Sequence, residues 1–276
     1  MAEATAGVRG DPDTKSEYRR LPARPGSRNG YEFPRVSVVM PTLNEAPNLP
    51  HVLALLPPGL YEVIVVDGHS TDGSVDVAQQ LRPDVRIVLE ERPGKGSALA
   101  RGFAAATGDI IVTLDADGSA DPGEISAFVD ALLSGADFVK GSRYLSGGGS
   151  DDITRLRSFG NRCFSTLVNL LFGTRYTDLC YGYNAFWREA LDVMAVDCDG
   201  FEIETLINIR IARAGLVVRE IASYEQRRIH GVSNLNAVRD GSRVLRTIVR
   251  EWIRRHPGVA VDLAVGDRTA SERGRA

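Results

Sequence analysis

Cysteine, histidine, methionine and tryptophan are all scarce in this chain, with three Cys, four His, three Met and two Trp in 276 residues. Cys163, Cys180 and Cys198 are too few, and odd in number, to form a disulfide framework. They fit a reducing compartment. No pair of cysteines or histidines stands at zinc-ligand spacing. No run reaches the roughly 18 apolar residues of a membrane-spanning helix, so any membrane role is expected to be peripheral. Neither sign of charge dominates, and a net charge of −3 excludes a general nucleic-acid binder. Arg19-Arg20 has no apolar segment after it, which excludes a secretory or twin-arginine signal there. A cytoplasmic protein is expected.

What is present suits one globular α/β domain. Hydrophobic residues make up 43% and charged residues 25%, enough chain to bury a large core. Residues 1–34 are polar and rich in Arg, Gly, Pro and Asp, and read as a disordered tail. Residues 257–276 read the same way, which leaves a single domain at 35–256. Within it, apolar runs alternate with helical patterns. Strands are expected at Val36–Met40, Val63–Val66, Val85–Leu89, Ile110–Leu114 and from Phe138. Helices are expected at Asn48–Leu56, Asp72–Leu81, Lys95–Ala106, Pro122–Leu133 and Leu156–Leu171. A helix near Glu202–Ala214, a strand at Leu216–Ile221 and a basic helix at Asn236–Arg255 complete the pattern. Uninterrupted apolar strands between helices predict a mostly parallel central sheet with helices on both faces, of Rossmann-like type.

Polar residues gather where these strands end. Strand one runs into Pro41-Thr42-Leu43-Asn44-Glu45, strand two into Asp67-Gly68-His69-Ser70, and strand four into Asp115-Ala116-Asp117. In a parallel sheet these ends share one edge, so Glu45, Asp67, Asp115 and Asp117 become neighbours. Ligands of open α/β sheets bind beyond that edge. Two carboxylates at i and i+2 supply hard oxygen ligands for Mg²⁺ or Mn²⁺ carrying a diphosphate. A plainer reading makes them loop residues that cap the helix near Asp121-Pro122. Gly94-Lys95-Gly96 opens a helix and can bring amides and an ammonium to an anion. It lacks the spacing of an ATPase phosphate loop.

These segments, in this order, together resemble the family 2 glycosyltransferases of GT-A fold. Gly141-Ser142-Arg143-Tyr144, Gly182-Tyr183-Asn184-Ala185-Phe186 and His230-Gly231-Val232-Ser233-Asn234-Leu235 resemble the branch of dolichol-phosphate mannose synthase and related polyprenyl-phosphate sugar transferases. The resemblance covers residues 35–255. It implies a single-step, inverting transfer from a nucleotide-sugar donor, GDP- or UDP-linked, to a polyprenyl phosphate. It implies that Pro41, Leu43, Glu45 and Asp67 hold the nucleoside, with Lys95, Asp115 and Ala116 completing the donor site. Asp115 and Asp117 would hold the metal, and Arg143 and Arg228 would face the diphosphate or the acceptor phosphate. Gly68, Ser119, His230 and Asn234 depart from residues common in that branch.

The acceptor decides the rest. A lipid phosphate is ionised near neutral pH and needs no base. A hydroxyl acceptor on a polysaccharide or small metabolite would need one, and Glu202, Glu204 and Asp178 are the candidates. A sugar-phosphate nucleotidyltransferase or a non-catalytic nucleotide-sugar binder are further alternatives. In Arg239–Arg255, arginines alternate with Val244, Leu245, Ile248, Val249, Trp252 and Ile253. Such a basic amphipathic helix suits peripheral contact with an anionic membrane, or it packs its apolar face on the sheet.

Overall fold

The computed structural model describes residues 33–255. The tails expected at 1–34 and 257–276 lie outside those residues, apart from Phe33 and Pro34. The chain runs β1 (Val36–Thr42), α1 (Leu49–Leu55), β2 (Glu62–Asp67), α2 (Ser74–Leu81), β3 (Arg86–Leu89), α3 (Lys95–Ala105) and β4 (Ile110–Thr113). A 3-10 turn at Pro122–Glu124 leads into α4 (Ile125–Leu133), then β5 (Phe138–Ser142), β6 (Gly149–Ser150) and α5 (Arg155–Phe172). After these come β7 (Asn184–Trp187), α6 (Leu191–Met194), α7 (Ile203–Arg213), β8 (Val218–Ala222), β9 (Tyr224–Glu225) and α8 (Ala237–Arg255).

Seven strands form one sheet in the order β3-β2-β1-β4-β7-β5-β8. The pairs β1–β2, β1–β4, β2–β3 and β5–β8 are parallel. β7 is the exception: it is inserted antiparallel between β4 and β5. A two-stranded ladder of β6 and β9 lies beside the main sheet. The expected mostly parallel α/β sheet is therefore present, with one reversed strand.

The apolar strands divide their side chains between two cores because successive residues point to opposite faces. Val38, Met40, Val65, Ile110 and Val112 face α1, α2 and α4. Val39, Ile64, Val66 and Ile111 face α3, α6 and α7. Each fully buried Val or Ile contributes roughly 1.5–3 kcal/mol to this packing. A third cluster joins Val168 and Phe172 of α5, Ile209 of α7, and Val244 and Ile248 of α8. It fastens α5 and α8 beside the C-terminal edge of β1, β2 and β4.

Candidate active site at the strand ends

Thr42 of β1 pairs with Asp67 of β2, and Val39 pairs with Thr113 of β4, so the three strands end at one edge. There the chain leaves the sheet and the carboxylates converge, each met by a cation or an amide. Both oxygens of Asp115 lie 2.8 Å from Lys95 Nζ. The same ammonium is 3.0 Å from Glu204 Oε1 in the first turn of α7. Burial works against the charge on Lys95, but Asp115 and Glu204 outweigh it and hold the ammonium well above the ordinary lysine range. Gly182 closes this triad from above. A Cβ there would lie 2.6 Å from Lys95 Nζ, so any other residue would push the ammonium out of its present place. The Gly182 carbonyl accepts from Thr113 Oγ1 at 2.7 Å and from Asn184 Nδ2 at 3.0 Å.

Asp117 and Glu45 are joined by one residue. Arg228 reaches Asp117 Oδ2 with Nη2 at 2.7 Å and Glu45 Oε1 with Nη1 at 2.9 Å. Ser119 N donates to the other Asp117 oxygen at 3.0 Å. Burial raises the Glu45 carboxyl above its usual range, and the Asp117 charge adds to that against the pull of Asn48 and Arg228. Asp67 accepts from Ser70 N at 3.1 Å, while its Oδ1 is buried with no hydrogen-bond partner. A buried orphan acceptor is costly and leaves a lone pair open to a donor group. Pro41 lies half-buried in β1, Leu43 is exposed beyond it, and Ala116 is buried between the two aspartates.

The Gly96 amide is already taken by the chain itself. Gly96 N donates to Asp199 O at 2.8 Å, and a Cβ on Gly94 or Gly96 would collide with the Asp199 or Cys198 backbone. These glycines admit the 198–199 chain, and the ammonium of Lys95 is what the loop delivers to the site.

Arg143, at the end of β5, is buried against carboxylates. Its Nε and Nη2 donate to Asp178 at 2.7 and 3.0 Å, and Nη1 to Glu225 at 3.0 Å. Its guanidinium stacks over Tyr181 with 4.7 Å to the ring centroid. Three of the five guanidinium N–H groups are thereby used. Asp178 also accepts from Arg143 N and Asn161 Nδ2, at 3.2 and 3.1 Å, so all four of its acceptor positions are taken. Asp178 is a structural anion, not a base. Glu202, just before α7, keeps one oxygen buried without a partner. Asn48, beyond its helix-start signal, and Asn161 and Glu225 carry no sign of a site role in the sequence; those roles come from residues distant in the chain.

A divalent ion fits the Asp115–Asp117 pair by the chemistry of its donors. Two cationic side chains already sit against these carboxylates, showing that the pair draws positive charge. Among the described residues no cluster of three or more His, Cys, Asp or Glu could hold a metal by itself. Two carboxylates completed by phosphate oxygens and water are what Mg²⁺ typically takes.

A cavity of about 240 Å³ opens from this cluster and passes between α5 and α8. Asp115, Asp117 and Lys95 line its inner end, and Leu156, Phe164 and Val238 line its outer part.

Comparison with known proteins agrees with this geometry. Residues 37–194 match Glycosyl transferase family 2. The chain is 33% identical over 233 residues to polyprenol monophosphomannose synthase of Mycolicibacterium smegmatis, covering 79% of this chain and 86% of that one. It is 29% identical over 218 residues to glycosyltransferase AglJ of Haloferax volcanii, covering 78% and 71%. Glucosyl-3-phosphoglycerate synthase from Mycobacterium tuberculosis, solved with Mn²⁺, UDP and glucosyl-3-phosphoglycerate, superposes with a TM-score of 0.63. That likeness has 27% identity and covers 79% of this chain and 80% of that one. The family match spans more than half of the chain and the synthase match covers most of both proteins, so the chain belongs to glycosyl transferase family 2 and is an enzyme of GT-A fold.

Proposed function

We propose that this enzyme is a metal-dependent, inverting transferase that moves a sugar from a GDP- or UDP-sugar to a polyprenyl phosphate at a membrane surface. The observation that carries the acceptor class is the cavity between α5 and α8. Its inner end is charged and its outer part apolar, as an amphiphile with an anionic head requires. Leu156 and Val238 line it and are also exposed, at 63% and 78%. From there two apolar stripes run along the helix surfaces. Leu156, Phe159 and Leu170 lie on α5, and Val238, Leu245 and Val249 on α8, all exposed and at helical spacing. Exposed Arg155, Arg162, Arg239 and Arg246 flank them. An apolar stripe rimmed by arginine suits an anionic bilayer surface. Among the described residues no helix is long and apolar enough to cross a membrane.

Asp115 and Asp117 would hold Mg²⁺ or Mn²⁺, which supplies Lewis-acid stabilisation of the departing diphosphate. Asp67 and Glu45 accept hydrogen bonds from the nucleoside. Lys95 places a fixed positive charge beside the diphosphate. Arg143, with two N–H groups left over on the cavity wall, and Arg157, whose guanidinium is held among the described residues by Asp152 at 3.5 Å, meet the acceptor phosphate. A phosphate oxygen forms the bond to the anomeric carbon, and the bond from that carbon to the diphosphate oxygen breaks with inversion. No proton has to leave the nucleophile. The occupied state of Asp178 and the tie between Glu204 and Lys95 support this base-free route over transfer to a hydroxyl. Glu204 then serves to position Lys95.

The membrane half of the reading has its own test. A Phe159→Asp, Leu170→Asp double variant changes two side chains 67% and 78% exposed, so the fold is retained. It is expected to lose flotation with vesicles of anionic phospholipid. Its transfer to polyprenyl phosphate in those vesicles is expected to fall at least ~10-fold, since burying each such side chain in a bilayer would contribute up to roughly 1.5–3 kcal/mol. Calorimetry should show Mn²⁺–nucleotide affinity unchanged. Equal flotation by wild type and variant would remove the assignment of this face.

A further inference from the structure

Asn48 stands where an asparagine ordinarily caps a helix, immediately before α1. Its side chain makes no cap hydrogen bond, although such a bond is typically worth ~1 kcal/mol. It is buried, at 1% exposure, and turned to another task. Its Oδ1 accepts from His230 N at 2.9 Å, and its Nδ2 donates to His230 O at 3.1 Å. The second Nδ2 hydrogen goes to Glu45 Oε2 at 2.5 Å. One amide thus grips both backbone groups of a residue 182 positions away and one oxygen of the site carboxylate.

The gripped residue belongs to the 228–235 segment, which lies across the carboxylate edge. That segment is also tied to the site through Arg228 on Glu45 Oε1 and Asp117, and more weakly through Ile229 N, which donates to Asp117 O at 3.4 Å. The two side-chain ties differ in what a donor would do to them. On the reading given above, nucleoside hydroxyls take Glu45, and metal and diphosphate take Asp117. Both compete directly with Arg228. Neither takes the groups Asn48 uses, the opposite oxygen of Glu45 and the backbone of His230, although Asn48 and His230 line one cavity with Leu43 and Glu45.

We propose that Asn48 is a positioning residue that anchors the 228–235 segment over the site while Arg228 leaves its two carboxylates for the donor's diphosphate. The inference rests on the donor-site reading of Glu45 and Asp117, but its structural half does not. Arg228 can turn to the phosphates without the segment swinging away, because the chain two residues on stays pinned. Asn48 also links occupancy of Glu45 to the segment that roofs the acceptor cavity, where Arg228, Ser233 and Leu235 are part of the lining.

Amide hydrogen exchange tests this with the full-length protein. In Arg228→Ala without ligand, the His230 amide is expected to keep its protection within threefold of wild type, because Asn48 still holds it. In Asn48→Ala, saturating UDP or GDP with Mn²⁺ is expected to raise exchange at His230 at least tenfold, against less than twofold in wild type. Nucleotide affinity should stay within threefold while kcat for sugar transfer falls at least tenfold. A merely structural role would lower affinity and melting temperature together with kcat. Loss of His230 protection in ligand-free Arg228→Ala overturns the anchor, as does equal His230 exchange in wild type and Asn48→Ala under nucleotide. If wild type binds neither nucleotide, the donor-site reading fails, and the ligand-free comparison still decides the anchor.

Discussion

Asp115→Ala is expected to lower kcat/KM for sugar transfer by on the order of 10³-fold, equivalent to about 4 kcal/mol of lost transition-state stabilisation. The carboxylate lies two residues beyond β4 and, on the proposed reading, is one of the two that would hold the divalent ion, so its removal would leave the diphosphate charge without its principal cation. Mn²⁺-dependent binding of UDP or GDP should disappear in the same variant. The fold should survive. The Asp115 side chain is 35% exposed, and Lys95 keeps its 3.0 Å contact to Glu204. Thermal melting separates the two effects: activity lost at a near-native melting temperature identifies Asp115 as a ligand-holding group. Full activity in Asp115→Ala would refute the metal assignment.

Asp178→Ala is expected to be the most destabilising change near the site. Asp178 is fully buried and holds Arg143 by two hydrogen bonds from the guanidinium and one from the backbone. Breaking a buried pair from one side typically costs about 3–5 kcal/mol, because the surviving charge stays buried with less to offset it. Glu225 remains for Arg143, which argues for the lower part of that range. Urea unfolding measures the loss directly. The pH dependence gives a second readout. Burial works against the Asp178 carboxylate, but Arg143 prevails and holds it below its ordinary 3.8. A group with a depressed folded value contributes stability that is fully present above its unfolded value and lost as the pH falls through the folded one. Wild type should therefore lose stability steeply below about pH 4, and Asp178→Ala should lose less over the same interval. Parallel acid profiles for the two proteins would contradict this role.

The sheet was legible in the sequence where physics is local. Val36–Met40, Val63–Val66 and Ile110–Leu114 are continuous apolar runs between helical patterns, which only strands covered on both faces require. Once those strands are parallel, the meeting of Glu45, Asp67, Asp115 and Asp117 follows from topology. β7 was not legible as a strand. Its four residues are too short to show a period, and its place between β4 and β5 depends on pairing with residues about 45 and 70 positions away. The surroundings of Arg143 were hidden for the same reason, since Asp178 and Glu225 lie 35 and 82 residues further on. Gly94 and Gly96 announced a close backbone approach without saying whose. The structure gives the 198–199 chain rather than an anion. Asn48 carried an ordinary helix-start signal, and its use as a grip on His230 exists only in three dimensions.

The electrostatic design of the site follows from these placements. Every carboxylate of the proposed metal and nucleoside contacts except Asp67 is held by a basic or amide side chain from another part of the chain. Lys95 serves Asp115, Arg228 serves Asp117 and Glu45, and Asn48 serves Glu45. Like charges this close are unfavourable without such partners. On the proposed reading, a metal nucleotide would enter a site whose carboxylates are already compensated, with Arg228 giving way and Lys95 staying in place, rather than an uncompensated anionic hole.

The central claim, sugar transfer from a nucleotide donor to a lipid phosphate, is tested most directly by mass spectrometry of the lipid fraction. Purified protein is incubated with polyprenyl phosphate, a panel of GDP- and UDP-sugars, and Mg²⁺ or Mn²⁺. The account predicts a lipid heavier by one sugar residue, formed with metal and absent with chelator or with Asp115→Ala. An unmodified lipid beside metal-dependent consumption of the nucleotide sugar would contradict it, and would transfer the assignment to a hydroxyl acceptor with Glu204 as the base to test.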